Sequence, residues 1–129
     1  MKKDYSAKDL ADLIVKEMKE KGYRSMSFVE IEKLFDDYGY DYRCDEKDAM
    51  RLEGYQNLYV WVGWNSAAQK AITLLMKGDY HMSQVEPFIY LIDGKMVNLP
   101  IAKSVRSYKS PHWMPCVIAK DYPGMKLKG

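Results

Sequence analysis

Leu10, Leu13, Ile14 and Met18 recur at helical spacing on one face, with Lys8, Asp12, Lys16 and Lys19 away from it. That spacing predicts an amphipathic helix. Ser6 is placed to cap its start, with Asp9 three residues on to close a variant capping box, and Gly22 to stop it. The grammar repeats at once: Ser27 and Glu30 form a second capping box, Phe28, Ile31, Leu34, Phe35 and Tyr38 make the apolar stripe, and Gly39 ends it. After the aromatic and charged stretch Tyr40 to Arg43, the residues Asp45, Asp48, Ala49, Met50 and Leu52 predict a short helix over 46–53, closed by Gly54. Leu58 to Val62, mostly β-branched and aromatic, predicts a strand ending at Gly63.

The next segment predicts a third long helix, opened by a Ser66–Gln69 box, running to Lys77 and closed by Gly78. Ala68, Ala71, Ile72, Leu75 and Met76 fall on one side of it, and Ser66, Gln69, Lys70, Thr73 and Lys77 on the other. It carries no Asp or Glu. Tyr80 to Val85 and Phe88 to Ile92 read as two strands joined through Glu86-Pro87. Asp93-Gly94 then makes a turn, and Met96 to Leu99 returns as a third strand. Beyond Pro100, Ile101 to Arg106 predicts one or two helical turns. Pro111, Pro115 and Pro123 forbid a long helix, and Cys116 to Ala119 reads as a short strand at a sheet edge. The expected class is α+β, a helical N-terminal half followed by a small antiparallel hairpin or sheet, with no internal repeat.

Composition narrows this picture. With 129 residues, 47% of them apolar, the chain suits one compact core. The division expected is a domain over 1–99 and a basic, proline-containing extension over 100–129 that packs on it or flanks it. The longest apolar run, Leu58 to Trp64, is too short to span a membrane, and the polar start predicts no secretory signal, so a cytoplasmic chain without membrane partners is expected. The net charge of +2 hides an asymmetry: −4 over residues 1–94 against +6 over 95–129, where Asp121 is the one acid. Such an end either seeks a partner or is balanced by the rest of the surface. Cys44 and Cys116 lie far apart without C-x-x-C pairing and read as two reduced thiols.

The order helix, helix, helix and then hairpin resembles winged helix-turn-helix domains. Asn65 to Gly78 looks like the recognition helix of such a domain, and Tyr80 to Gly94 like its wing. The resemblance implies that the helix over 66–77 enters a major groove of duplex DNA. Gln69 would then suit adenine, Lys70 guanine and the Thr73 methyl a thymine methyl. Ser66 would hold a phosphate through the helix N-terminus, with Lys77, Lys103, Arg106 and Lys109 as further phosphate contacts. The competing reading of the same residues is an ordinary solvated face. In that family a short turn precedes the recognition helix, whereas 26 residues separate Gly39 from Ser66 here. Either the helix over 46–53 is the true partner, or this stretch is an insertion, or the fold is another small α+β arrangement.

The remaining chemistry is sparse. Tyr55, Tyr59, Trp61 and Trp64, with Tyr38, Tyr40 and Tyr42, offer either a stacking surface for single-stranded nucleic acid or a partner-binding face centred on Tyr59, Trp61 and Trp64. Both compete with core packing. Cys44, His81, His112 and Cys116 contain one close pair only, so no metal is expected, and Cys116 beside His112 lacks an elbow or oxyanion motif. Asp36-Asp37 has no mark of a catalytic pair, and no phosphate-binding glycine loop is present. The expectation is a non-enzymatic chain without cofactors. It is either a DNA-binding or regulatory winged-helix-like protein or a protein–protein adaptor or inhibitor that does not bind nucleic acid. A homodimer is compatible with both.

Overall fold

A computed structural model describes residues 5–44 and 49–121. The protein is α+β, with four helices and two three-stranded sheets among the described residues. Both N-terminal helices form as their caps dictate. Helix α1 (Ala7–Lys21) starts at Ser6, whose hydroxyl accepts from the Asp9 amide while the Asp9 carboxylate accepts from the Ser6 amide, and Gly22 ends it in the left-handed region (φ 67°). Strand β1 (Ser25–Ser27) runs directly into helix α2 (Phe28–Asp37), whose N-cap Ser27 makes the reciprocal pair with Glu30. Tyr38, expected in the apolar stripe of α2, is instead its half-exposed C-cap.

Two expectations for the middle of the chain fail. Residues 49–51 form strand β2 (Ala49–Arg51) and residues 52–53 are not helical, so the expected helix over 46–53 is overturned there; its first residues, 46–48, lie outside the described residues. Pairing explains the outcome, because β2 is antiparallel to β3 (Leu58–Val62) and Met50, opposite Trp61, becomes buried. Asn57, with φ 60°, shapes the hairpin turn. Helix α3 (Ser66–Lys77) has the predicted span, but its N-cap is Asn65, whose Oδ1 accepts from the Ala68 amide at 3.0 Å. Gln69 closes no box: its Nε2 donates to the Trp64 carbonyl at 2.8 Å.

The C-terminal half departs further. Strand β4 (Tyr80–Gln84) is followed not by a second hairpin strand but by helix α4 (Phe88–Asp93), which Pro87 starts and Gly94 closes at φ 82°. A five-residue apolar run fits either structure locally, and here the flanking Pro and Gly decide. Met96 to Leu99 form no strand; Val97 turns into the core instead. Ile101 to Arg106 form no helical turn. Ile101 bridges Trp113, and the Ala102 amide donates to the Trp113 carbonyl at 2.8 Å. Strand β5 (His112–Trp113) pairs parallel with β3, giving the order β2-β3-β5. Strand β6 (Cys116–Lys120) forms as a strand but at the centre of its sheet, in the order β1-β6-β4 with both neighbours antiparallel. Residues 101–120 therefore contribute to both sheets. Among the described residues no helix is long and apolar enough to cross a membrane.

Helices α1 and α3 pack closely, with Ala11, Ala68 and Ala71 all buried. Beside them lies an aromatic core in which Phe28 stacks on Trp61 (centroids 5.6 Å apart, 11° between planes) and meets Trp64 edge-on. Its centre is polar. The indole N–H groups of Trp61 and Trp64 both donate to Glu32 Oε2, at 2.9 and 2.8 Å, and Lys95 Nζ donates to Oε1 at 2.7 Å. Removing the carboxylate strands two buried indole donors, each costing about 1–3 kcal/mol. Glu32→Leu should lose about 3 kcal/mol of unfolding free energy in urea titration, whereas breaking the exposed Lys8–Asp12 pair by Lys8→Ala should lose less than about 0.5 kcal/mol.

Tyr42 packs against this centre, and burial, reinforced by the Glu32 and Asp36 charges, pushes its phenol up to about 12. The unfolded phenol titrates near 10. A folded value above the unfolded one contributes stability that is whole below about pH 10 and is lost as pH rises toward about 12. The urea midpoint should therefore hold from neutral pH to about 10 and fall above it, a result that Tyr42→Phe should blunt.

Candidate nucleic-acid interface

On α3, Ser66, Lys70, Thr73 and Lys77 are exposed and fall on one strip, while Ala68, Ala71, Ile72 and Leu75 face the core. Neither lysine has a carboxylate partner among the described residues. Gln69 is withdrawn from the strip by its bond to the Trp64 carbonyl. Beside it lies a groove of about 470 Å³, walled by Gln69, Thr73, Met76 and Lys77 of α3, by Met50 to Glu53, and by Met82. The α3 flank expected to face outward is thus exposed, and among the described residues none of the C-terminal third lines this groove.

Lys103, Arg106 and Lys109 are exposed and belong to a separate loop. This loop is fastened to the β2–β3 turn: the Tyr108 amide donates to the Gln56 carbonyl at 2.9 Å, Asn57 Nδ2 donates to the Tyr108 carbonyl at 3.0 Å, and the His112 amide donates to the Asn57 carbonyl at 2.9 Å. Arg106 lies over the Tyr108 ring, 4.3 Å from its centroid, and the His112 ring stacks on Tyr108 at 4.0 Å with 18° between planes. The Tyr108 phenol is shifted below its ordinary value, first by its hydrogen bond with Ser104.

The face expected to bind a partner through aromatic residues does not exist as such. Trp61 and Trp64 are fully buried around Glu32, and Tyr59 is half-buried with Arg51 over its ring at 5.3 Å. The indoles sit inside because Glu32 supplies the acceptor their N–H groups need. The three most exposed large apolar side chains among the described residues lie elsewhere, on α4: Phe88, Leu91 and Ile92 are 54%, 66% and 75% exposed. Tyr90 is the one buried residue of that helix. Its hydroxyl donates to the Cys116 carbonyl at 2.6 Å and accepts from the Phe28 amide at 3.1 Å, and burial drives its pKa upward. An open groove of about 870 Å³ runs beside Phe88, past Val85, Pro87, Ile101, Lys103 and Pro115. The run Phe88 to Ile92 had carried this signal, hidden by its reading as a strand.

Cys44, His81, His112 and Cys116 are not brought together. His81 bonds Asp121, His112 stacks on Tyr108 with Nδ1 on the Ser110 carbonyl, and Cys116 is buried in β6. Among the described residues no three of His, Cys, Asp and Glu converge as a metal ion would require. Asp36 pairs with Arg43 at 3.0 Å.

The chain matches no family model, no curated protein sequence and no solved structure. The thiols give a direct check of the geometry just described. Burial pushes Cys116 up to about 12, whereas Cys44 is exposed. A chromogenic disulfide reagent at mildly alkaline pH should label Cys44 promptly and Cys116 only at the rate of unfolding. Equal rates for both would contradict the central placement of β6.

Proposed function

We propose that this chain is a non-enzymatic, duplex-DNA-binding module on a winged-helix-like scaffold, with α3 as its reading helix. The order α1, α2, α3 followed by an antiparallel strand pair supports that scaffold, provided β4 and β6 are taken as the strands of the wing. The connection between them is then an enlarged wing carrying α4 and β5, and the β2–β3 hairpin is an insertion between α2 and α3.

One observation carries the reading: Ser66, Lys70, Thr73 and Lys77 form an exposed strip that contains no acid and whose two cations have no carboxylate partner among the described residues. In a major groove, Lys70 reaches guanine acceptors and the Thr73 methyl meets a thymine methyl. The helix N-terminus at Ser66 holds a phosphate, and Lys77 holds another. Gln69, engaged with Trp64, makes no base contact in this arrangement.

A second reading, a protein–protein adaptor, is favoured by the solvent-facing Phe88, Leu91 and Ile92, an anchor set at i, i+3 and i+4. With Lys103 beside Phe88, the fitting partner is a protein with an apolar groove rimmed by carboxylates. The two readings separate by measurement. Anisotropy with a mixed-sequence duplex should show binding that weakens steeply between about 50 and 200 mM salt. Lys70→Ala, Thr73→Ala and Lys77→Ala together should weaken it at least about tenfold and lower the salt slope by about two, at unchanged stability. Duplex affinity untouched by the triple variant overturns the DNA reading. Loss of a captured acidic partner on Leu91→Asp would establish the second.

A further inference from the structure

We infer that the loop over residues 103–112 is a binding site for single-stranded nucleic acid, with Arg106 and Tyr108 as a stacking platform and Lys103 and Lys109 as phosphate contacts. The geometry begins with the stack. Arg106 and His112 each lie about 4 Å from the Tyr108 ring centre. The imidazole is stacked on the phenol with 18° between planes and the guanidinium carbon lies over the same ring, so Tyr108 gathers both groups into one aromatic and cationic cluster.

The platform is built rather than incidental. Tyr108 is tied at its hydroxyl, which donates to the Ser104 carbonyl at 2.9 Å, and at its backbone amide and carbonyl through Gln56 and Asn57. Ser107 Oγ accepts from the Gln56 amide at 3.0 Å. Asn57 holds a left-handed conformation that few non-glycine residues adopt, and its amide side chain and carbonyl both serve this loop. Such tethering fixes the plane of the ring before any ligand arrives, which lowers the ordering cost of binding.

The charge points to a polyanion. No acid occurs between Gly94 and Lys120, and Lys103, Arg106 and Lys109 have no carboxylate partner among the described residues. Arg106 is held by Tyr108 rather than by an acid, which leaves N–H groups of its fork for a phosphate and its outer face for a base. Base faces are offered only where the strand is unpaired, which selects single strands over duplex.

This site is separate from the α3 strip, so either can fail alone. The test uses the whole protein with fluorescent oligo(dT), oligo(U) and an abasic DNA strand of equal length. Stacking predicts that oligo(dT) and oligo(U) each bind at least about tenfold more tightly than the abasic strand. Arg106→Lys keeps the charge but not the plane, and should weaken base-bearing strands about tenfold with little effect on the abasic one. Urea titration of the variant controls for folding. Equal affinity for abasic and base-bearing strands, or binding of poly-glutamate as tight as that of oligo(dT), overturns the proposal, the latter in favour of an acidic protein partner. The triple variant of α3 should leave oligo(dT) affinity unchanged, and loss of both activities in it would overturn the separation of the two sites.

Discussion

A single buried carboxylate organises this molecule. Glu32 comes from α2, the two indoles on its Oε2 come from β3 and from the residue preceding the α3 cap, and Lys95 on its Oε1 comes from the segment leaving α4. Four parts of the chain meet at three hydrogen bonds. A carboxylate taken out of water is costly unless its oxygens are satisfied, so each of these elements is held in one register relative to the others. Lys95 also lies 5.6 Å from the centre of the Trp61 ring, which adds an attraction along the ring face. Slipping α2 by one residue would put Glu32 elsewhere on the helix and leave both indoles without an acceptor.

The same logic, carried by Tyr90, turns α4 outward. The α2 N-terminus leaves backbone amides without helical partners, and the Tyr90 hydroxyl takes the one on Phe28. Asp93 Oδ2 accepts from the Ser27 hydroxyl that already caps α2, which places a carboxylate at the positive end of the helix. With Tyr90 and Asp93 both facing inward, a helix of six residues has only its other side for Phe88, Leu91 and Ile92. Their exposure follows from anchoring rather than from disorder.

What could be read from the sequence follows the range of the interactions involved. The first two helices were legible because Ser6 with Asp9 and Ser27 with Glu30 act over three residues, and their apolar stripes repeat within one turn. Strand β3 was legible from composition, and α3 to within its cap, which moved one residue: Asn65 caps the Ala68 amide, and the Gln69 amide that a Ser66 cap would take bonds the Asn65 carbonyl instead. The site was legible in part. The open strip of α3 could be marked, but the fates of Gln69, Trp61 and Trp64 depend on backbone and side-chain acceptors that periodicity does not reveal. Glu32 lies 29 and 32 residues from the indoles that choose it. The Arg106–Tyr108–His112 stack likewise needs the β2–β3 turn to bend the loop, and nothing in the spacing of those three residues alone announces a plane.

The modest net charge is a poor guide to the surface for a related reason. The acidic part of the chain spends several carboxylates on neighbouring cations: Asp12 on Lys8, Glu17 on Lys21, Asp36 on Arg43, and Glu32 on Lys95. Paired charges cancel within a few ångströms and leave little field beyond a Debye length. Among the described residues, Lys70 and Lys77 on α3, and Lys103, Arg106 and Lys109 on the loop, have no such partners. A formal charge of +2 therefore coexists with two local positive surfaces, and it is the local field that a polyanion meets on approach. Those surfaces are linked by the β2–β3 hairpin, whose Arg51 to Glu53 segment lines the α3 groove and whose Gln56 and Asn57 hold the loop. Strand β2 pairs with β3 at one end of the hairpin and the turn holds the loop at the other, so a ligand that engages both surfaces must span the distance it sets.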